Sequence, residues 1–114
     1  MATRAMTDSS IHKAIAEMVR RIATRFQPHK IILFGSYARG EAGPDSDVDL
    51  LVVMPPHGSK RERAAEIYGL LAGMGLAKDV IVVTPEEFEA YSDAPGTVIR
   101  TARQEGKVLY DRAA

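Results

Sequence analysis

Three short apolar runs set the terms on which this chain can fold. Lys30–Phe34 reads KIILF, Val48–Met54 reads VDLLVVM and Lys78–Val83 reads KDVIVV. Runs of this length, dense in Ile, Val and Leu and bounded by turn residues, read as buried strands. Pro28 stands before the first run, Gly35 and Ser36 end it, and Pro55 and Pro56 stop the second. Those residues cannot continue a strand ladder or are poor at it, so the boundaries are set by chemistry as well as by pattern.

Helical periodicity fills the intervals. Ile11, Ala14, Ile15, Met18, Val19, Ile22 and Phe26 recur at three- and four-residue spacing, with Asp8, Ser9 or Ser10 available as a cap. The charged run SKRER leads into a second helix carrying Ala64, Ala65, Ile67, Tyr68, Leu70 and Leu71, which fades at Gly73 and Gly75. Thr84, Pro85 and Glu87 form a capping box for a third. A fourth is expected from about Gly96 to Glu105, stopped by Gly106, before a last short strand at KVLY. The expected order is α-β-β-α-β-α-α-β: an α/β, or α+β two-layer, domain built on one small sheet.

Composition narrows the function. A chain of 114 residues that is 46% hydrophobic supports one core, so residues 1–114 are expected to be a single domain. Lys plus Arg and Asp plus Glu are 15 each, which disfavours a nucleic-acid module or an acidic membrane surface as partner. There is no cysteine, so disulfide and thiolate chemistry are excluded and a metal would be held by oxygen or imidazole. No run approaches the roughly 18 apolar residues of a membrane span. A soluble, cytoplasmic protein is expected.

The chemistry concentrates in Gly35–Val53, GSYARGEAGPDSDVDLLVV. Alternation along a strand puts Asp47 and Asp49 on one face and Val48 and Leu50 on the other. Two like charges beside an apolar core are unfavourable unless a cation lies between them, and magnesium suits such oxygen donors. Asp79 stands before VIVV as Asp49 stands before LLVV, so neighbouring strands would gather three carboxylates at one edge. Gly35 permits unusual dihedrals and Ser36 opens what can be a short helix to Arg39, with backbone amides, the Ser36 hydroxyl and Arg39 available to an anion. An anion cradle beside a carboxylate metal site is equipment for phosphoryl or nucleotidyl transfer.

The sequence GS followed by SDVDL, with a later strand-borne aspartate, resembles the polymerase-β-like nucleotidyltransferase superfamily; the wording GSYARG and the short chain resemble its minimal nucleotidyltransferase branch. The tail TVIRTARQEGKVLYD is similar to how that branch ends. The resemblance implies a small mixed sheet flanked by helices. It implies that Gly35 and Ser36 bind the triphosphate of ATP, that Asp47 and Asp49 hold two Mg2+ ions, and that Asp79 bridges metal and attacking hydroxyl. It further implies an antitoxin paired with a HEPN toxin, to which AMP is transferred.

Each feature has a plainer reading. Gly35–Ser36 alone is a strand-ending turn, and Asp47 and Asp49 alone are solvated acids; their joint spacing with Asp79 favours a site. Arg39 either meets nucleotide or pairs with Glu41 or Asp45. Ser46, a further nucleotide-binding candidate, is favoured as a turn cap. His12, His29 and His57 read as surface residues, SKRER as a solvated face, and the tyrosines as packing, with Tyr37 beside the cradle the one to watch. Little chain is left for an acceptor wall, so a partner protein or a second copy would supply it. Two other functions stay open: a binding module that occludes its partner, and an enzyme acting on a small molecule such as an aminoglycoside.

Overall fold

A computed structural model describes residues 8–55 and 58–114. The elements are α1 (Asp8–Phe26), β1 (Lys30–Phe34), α2 (Ser36–Arg39), β2 (Val48–Val53), α3 (Lys60–Leu70), β3 (Lys78–Val83), α4 (Pro85–Tyr91), α5 (Val98–Glu105) and β4 (Lys107–Asp111). His57 lies outside the described residues. Ser9 and Ser10 fall inside α1, so neither is the cap expected of it, and the residue before Asp8 lies outside the described residues.

The apolar runs become strands because their alternate side chains find cover on both sides. Ile31, Leu33, Val48, Leu50, Val52, Val80 and Val82 face α1 and α3, packing with Ile15, Met18, Val19, Ile22, Ile67 and Leu71. Ile32, Phe34, Leu51, Val53 and Val83 face the other way, onto Phe88 of α4 and Ile99 and Ala102 of α5. The small mixed sheet is therefore flanked by helices as expected, and the shorter α4 and α5 make a thinner second cover.

Strand order is β3-β2-β1-β4. Strand β1 runs antiparallel to both β2 and β4, while β2 and β3 are parallel and joined through α3. This arrangement brings the C-terminal end of β1 and the N-terminal ends of β2 and β3 to one end of the sheet. Residues far apart in sequence meet there.

Local chemistry adjusts three expected boundaries. Met54 is buried and donates its N–H to the Val83 carbonyl at 3.0 Å, yet β2 ends one residue earlier, at Val53. Helix α5 starts at Val98, not Gly96, because the Thr97 side chain accepts the Arg100 N–H and caps it. Helix α3 ends at Leu70 with Leu71 as its C-cap, short of Gly73 and Gly75. The capping box at Thr84 is present in both directions. SKRER is a solvated face as expected, exposed from Ser59 to Glu62, with Lys60 Nζ 2.7 Å from Glu87 and Arg63 paired with Glu66. No helix among the described residues is long and apolar enough to cross a membrane.

Gly106 joins α5 to β4 where there is no room for a side chain. A Cβ there would lie 2.2 Å from the Ala102 carbonyl oxygen, 2.6 Å from Ile32 Cγ2 and 2.9 Å from the Leu33 carbonyl oxygen. Two of the three are backbone atoms that cannot step aside. Gly106→Ala is expected to destabilise the fold by about 1–3 kcal/mol, measured as a lowered melting temperature in calorimetry.

Candidate functional site

The end of β1 is shaped by one glycine. Gly35 adopts φ 77° and ψ −157°, a region open almost only to glycine, and a Cβ on it would stand 2.1 Å from Asp49 Oδ2. The Asp49 carboxylate thus sits directly against the backbone of the turn, a contact that a side chain at residue 35 would forbid. Helix α2 follows as a single turn, ended by Gly40 in the left-handed conformation. The amides of Ala38 and Arg39 turn back onto the Gly35 carbonyl at 3.1 Å each, leaving those of Ser36 and Tyr37 as the donors this turn can offer an anion.

The parallel ladder supplies the second acid. Asp49 on β2 pairs in register with Asp79 on β3, so the two side chains leave the same face about 4.8 Å apart along the hydrogen-bonding direction. Asp47, one residue before β2, is exposed, as is Asp79, while Asp49 is half-buried. The Asp49 carboxyl is pushed above the usual carboxylate range, first by burial and then by the charges of Asp79 and Asp47, against the pull of Arg39. Asp47 and Asp79 therefore both bear electrostatically on Asp49.

These donors suit a hard divalent cation by their chemistry: carboxylate oxygens of like charge, one held against a glycine backbone. As they stand, no group of three acidic, histidine or cysteine side chains among the described residues is assembled to hold a metal ion. Asp79 Oδ1 accepts a hydrogen bond from the Tyr68 hydroxyl at 3.2 Å, which leaves Oδ2 outside that contact.

The other expected site residues are occupied locally. Arg39 Nε donates to Glu41 at 2.8 Å, the pairing weighed from sequence, and its Nη1 reaches Glu105 on α5 at 3.3 Å. Ser46 Oγ accepts the Gly43 N–H at 2.8 Å while the Ser46 N–H donates to the Gly43 carbonyl at 3.1 Å, which closes the turn through Pro44 and Asp45. His12 is exposed and His29 half-buried. Tyr37 packs against the core beneath α2. Sequence reasoning missed Tyr68: its eleven-residue separation from Asp79 has no helical or strand period to reveal it.

Sheet order, the glycine-serine turn and the in-register acids define a class of small α/β domain with its chemistry at one sheet end. Residues 15–109 match the family model described as a nucleotidyltransferase domain, and the chain belongs to that family. It is 30% identical over 94% of its length to "Putative protein adenylyltransferase MJ1305" of Methanocaldococcus jannaschii, of which it spans 76%. It is 43% identical to "Protein adenylyltransferase MntA" of Thermococcus cleftensis over 41% of this chain and 48% of that one. Against "Poly(A) polymerase PAPa" of Candida albicans the identity is 35% over 75% of this chain, which spans only 15% of that protein. In three dimensions it is similar to a crystal structure described as a putative nucleotidyltransferase from Sulfolobus solfataricus, with TM-score 0.63 and 22% identity over 97% of this chain and 95% of that one.

Two outcomes follow from this geometry. Gly35→Ala is expected to cost about 1–3 kcal/mol through backbone strain alone and to displace Asp49, seen as a lowered melting temperature. The second concerns pH. Asp49 holds its proton more tightly folded than unfolded, so stability of the metal-free protein falls as pH rises from the ordinary carboxylate value of 3.8 through the raised folded value. Asp49→Asn should therefore raise the melting temperature at neutral pH without metal, with the gain vanishing on acidification below that window; a gain that persists in acid would contradict this account.

Proposed function

We propose that this chain is a magnesium-dependent nucleotidyltransferase that moves AMP from ATP to a hydroxyl of a partner protein, a HEPN toxin, and so acts as its cytoplasmic antitoxin. The observation that carries the reading is the register of Asp49 against Asp79 with Gly35 pressed on the Asp49 carboxylate. Names of relatives support the protein acceptor.

On this reading Gly35 and Ser36 bind the triphosphate, and Asp47, Asp49 and Asp79 are the residues that would hold Mg2+. When bound, the ions would neutralise charge on the phosphates and favour departure of pyrophosphate. Asp79 takes the proton of the acceptor hydroxyl as its oxygen forms a bond to the α-phosphorus. The bond from that phosphorus to the bridging β-phosphate oxygen breaks, and pyrophosphate leaves. Asp47 and Asp49 keep the transferring group at the strand ends, while the turn at Ser36 limits its motion. Arg39 meets the nucleotide only if it leaves Glu41 and Glu105.

The test is transfer of label from α-phosphate-labelled ATP to a co-purified HEPN partner. Asp47→Asn together with Asp49→Asn is expected to lower transfer by about a hundredfold or more without lowering the melting temperature. Undiminished transfer would remove the assignment of these acids. Rescue from toxicity by the doubly substituted chain would instead support neutralisation by occlusion.

A further inference from the structure

Tyr68 lies on α3, whose neighbouring residues Ile67 and Leu71 are fully buried beneath the sheet, yet its own side chain is 39% exposed. Its hydroxyl reaches the outer side of β3. There it accepts the Val80 N–H at 2.8 Å and donates to Asp79 Oδ1 at 3.2 Å. Strand β3 is an edge strand, paired only with β2 within the sheet, so this amide points to the unpaired side.

The direction of these bonds is settled by the donors. A backbone N–H can only donate, so the phenol oxygen accepts from Val80 and its single proton is left for the carboxylate. The edge of the sheet therefore orients the phenol, and the phenol orients the acid. An exposed aspartate on an edge strand has little packing to select a side-chain rotamer; a hydroxyl held by the next residue's amide supplies that selection. One Asp79 oxygen is engaged, and the other is left to a ligand.

Resting on the proposed reading of the three acids, we infer that Tyr68 is a positioning residue that acts through Asp79, fixing the carboxylate that receives the acceptor proton. Packing alone would be served by phenylalanine. Capping the free edge of β3 would need the hydroxyl but would have no dependence on Asp79.

A double-substitution cycle separates these roles. Tyr68→Phe, Asp79→Asn and their combination are compared with the unaltered chain in the affinity for Mn2+ presented with α,β-methylene-ATP, read by water-proton relaxation, and in label transfer to the partner. Loss of the Val80 contact is shared by both backgrounds and cancels in the cycle. Tyr68→Phe is expected to weaken Mn2+ uptake and transfer by roughly tenfold when Asp79 is present and to add little when residue 79 is asparagine. Equal losses in both backgrounds, or none in the first, overturn the inference. If the unaltered chain takes up no Mn2+ with the nucleotide, the site reading falls and this inference with it; uptake independent of Tyr68 removes the inference alone.

Discussion

Strand β2 is hydrogen-bonded on one side to a strand running against it and on the other to a strand running with it. The antiparallel partner delivers the end of β1, and hence Gly35, to the start of β2. The parallel partner delivers the start of β3, and hence Asp79, to the same place. A slip of one residue in either ladder would turn Asp49 into the α1 side of the core and point its apolar neighbours outward. Burial of Val48, Leu50 and Val52 on that side is thus what holds Asp49 on the other. The acid is placed by its neighbours' aversion to water.

That placement sets two tendencies against each other. The core favours continuing β2 fully buried, whereas Asp49, second residue of the strand, is penalised by burial and by Asp79 and Asp47. Nearby Arg39 offsets part of this, but it is committed to Glu41 and Glu105 across a gap of sequence that links α2 to α5. Such exposed pairs are worth little each, so the clamp is exchangeable. An unfavourable carboxylate cluster beside a weakly held guanidinium is a poor way to stabilise a fold; on the proposed reading it holds affinity for a cation and an anion in reserve.

Much of this is legible in the residues alone. β1 and β3 fall where KIILF and KDVIVV place them, because β-branched runs flanked by Pro28, Gly35 and Thr84 leave the backbone few alternatives. The one-turn α2 is legible from Ser36 to Arg39, since glycines at 35 and 40 supply both irregular ends. The start of α5 is not, because Gly96 marks a turn while Thr97, the residue after it, carries the cap. The roles of Ser46 and Arg39 are only half legible: local pairing with Gly43 and Glu41 lies within reach of sequence, but the bond to Glu105 spans 66 residues and exists only after α5 docks. Tyr68 reads as one more apolar position of α3 until the α3–β3 packing shows what its hydroxyl touches.

The openness of this sheet end explains why a tyrosine outside the expected set would matter. In a deep pocket, packing selects side-chain rotamers and hydrogen bonds refine them. Here Asp47 and Asp79 are exposed, and the helices are spent covering the two faces of the sheet instead of its end. On the proposed reading, the missing wall arrives with the acceptor protein, which shields the acids only when it is bound. Before that moment, order at Asp79 has to come from within, and because the residue is exposed a hydrogen bond supplies it more readily than packing. A phenol fixed to the edge of β3 meets that need. It is rigid, it is anchored by a helix that the core already immobilises, and its donor is directed by the strand that carries the acid.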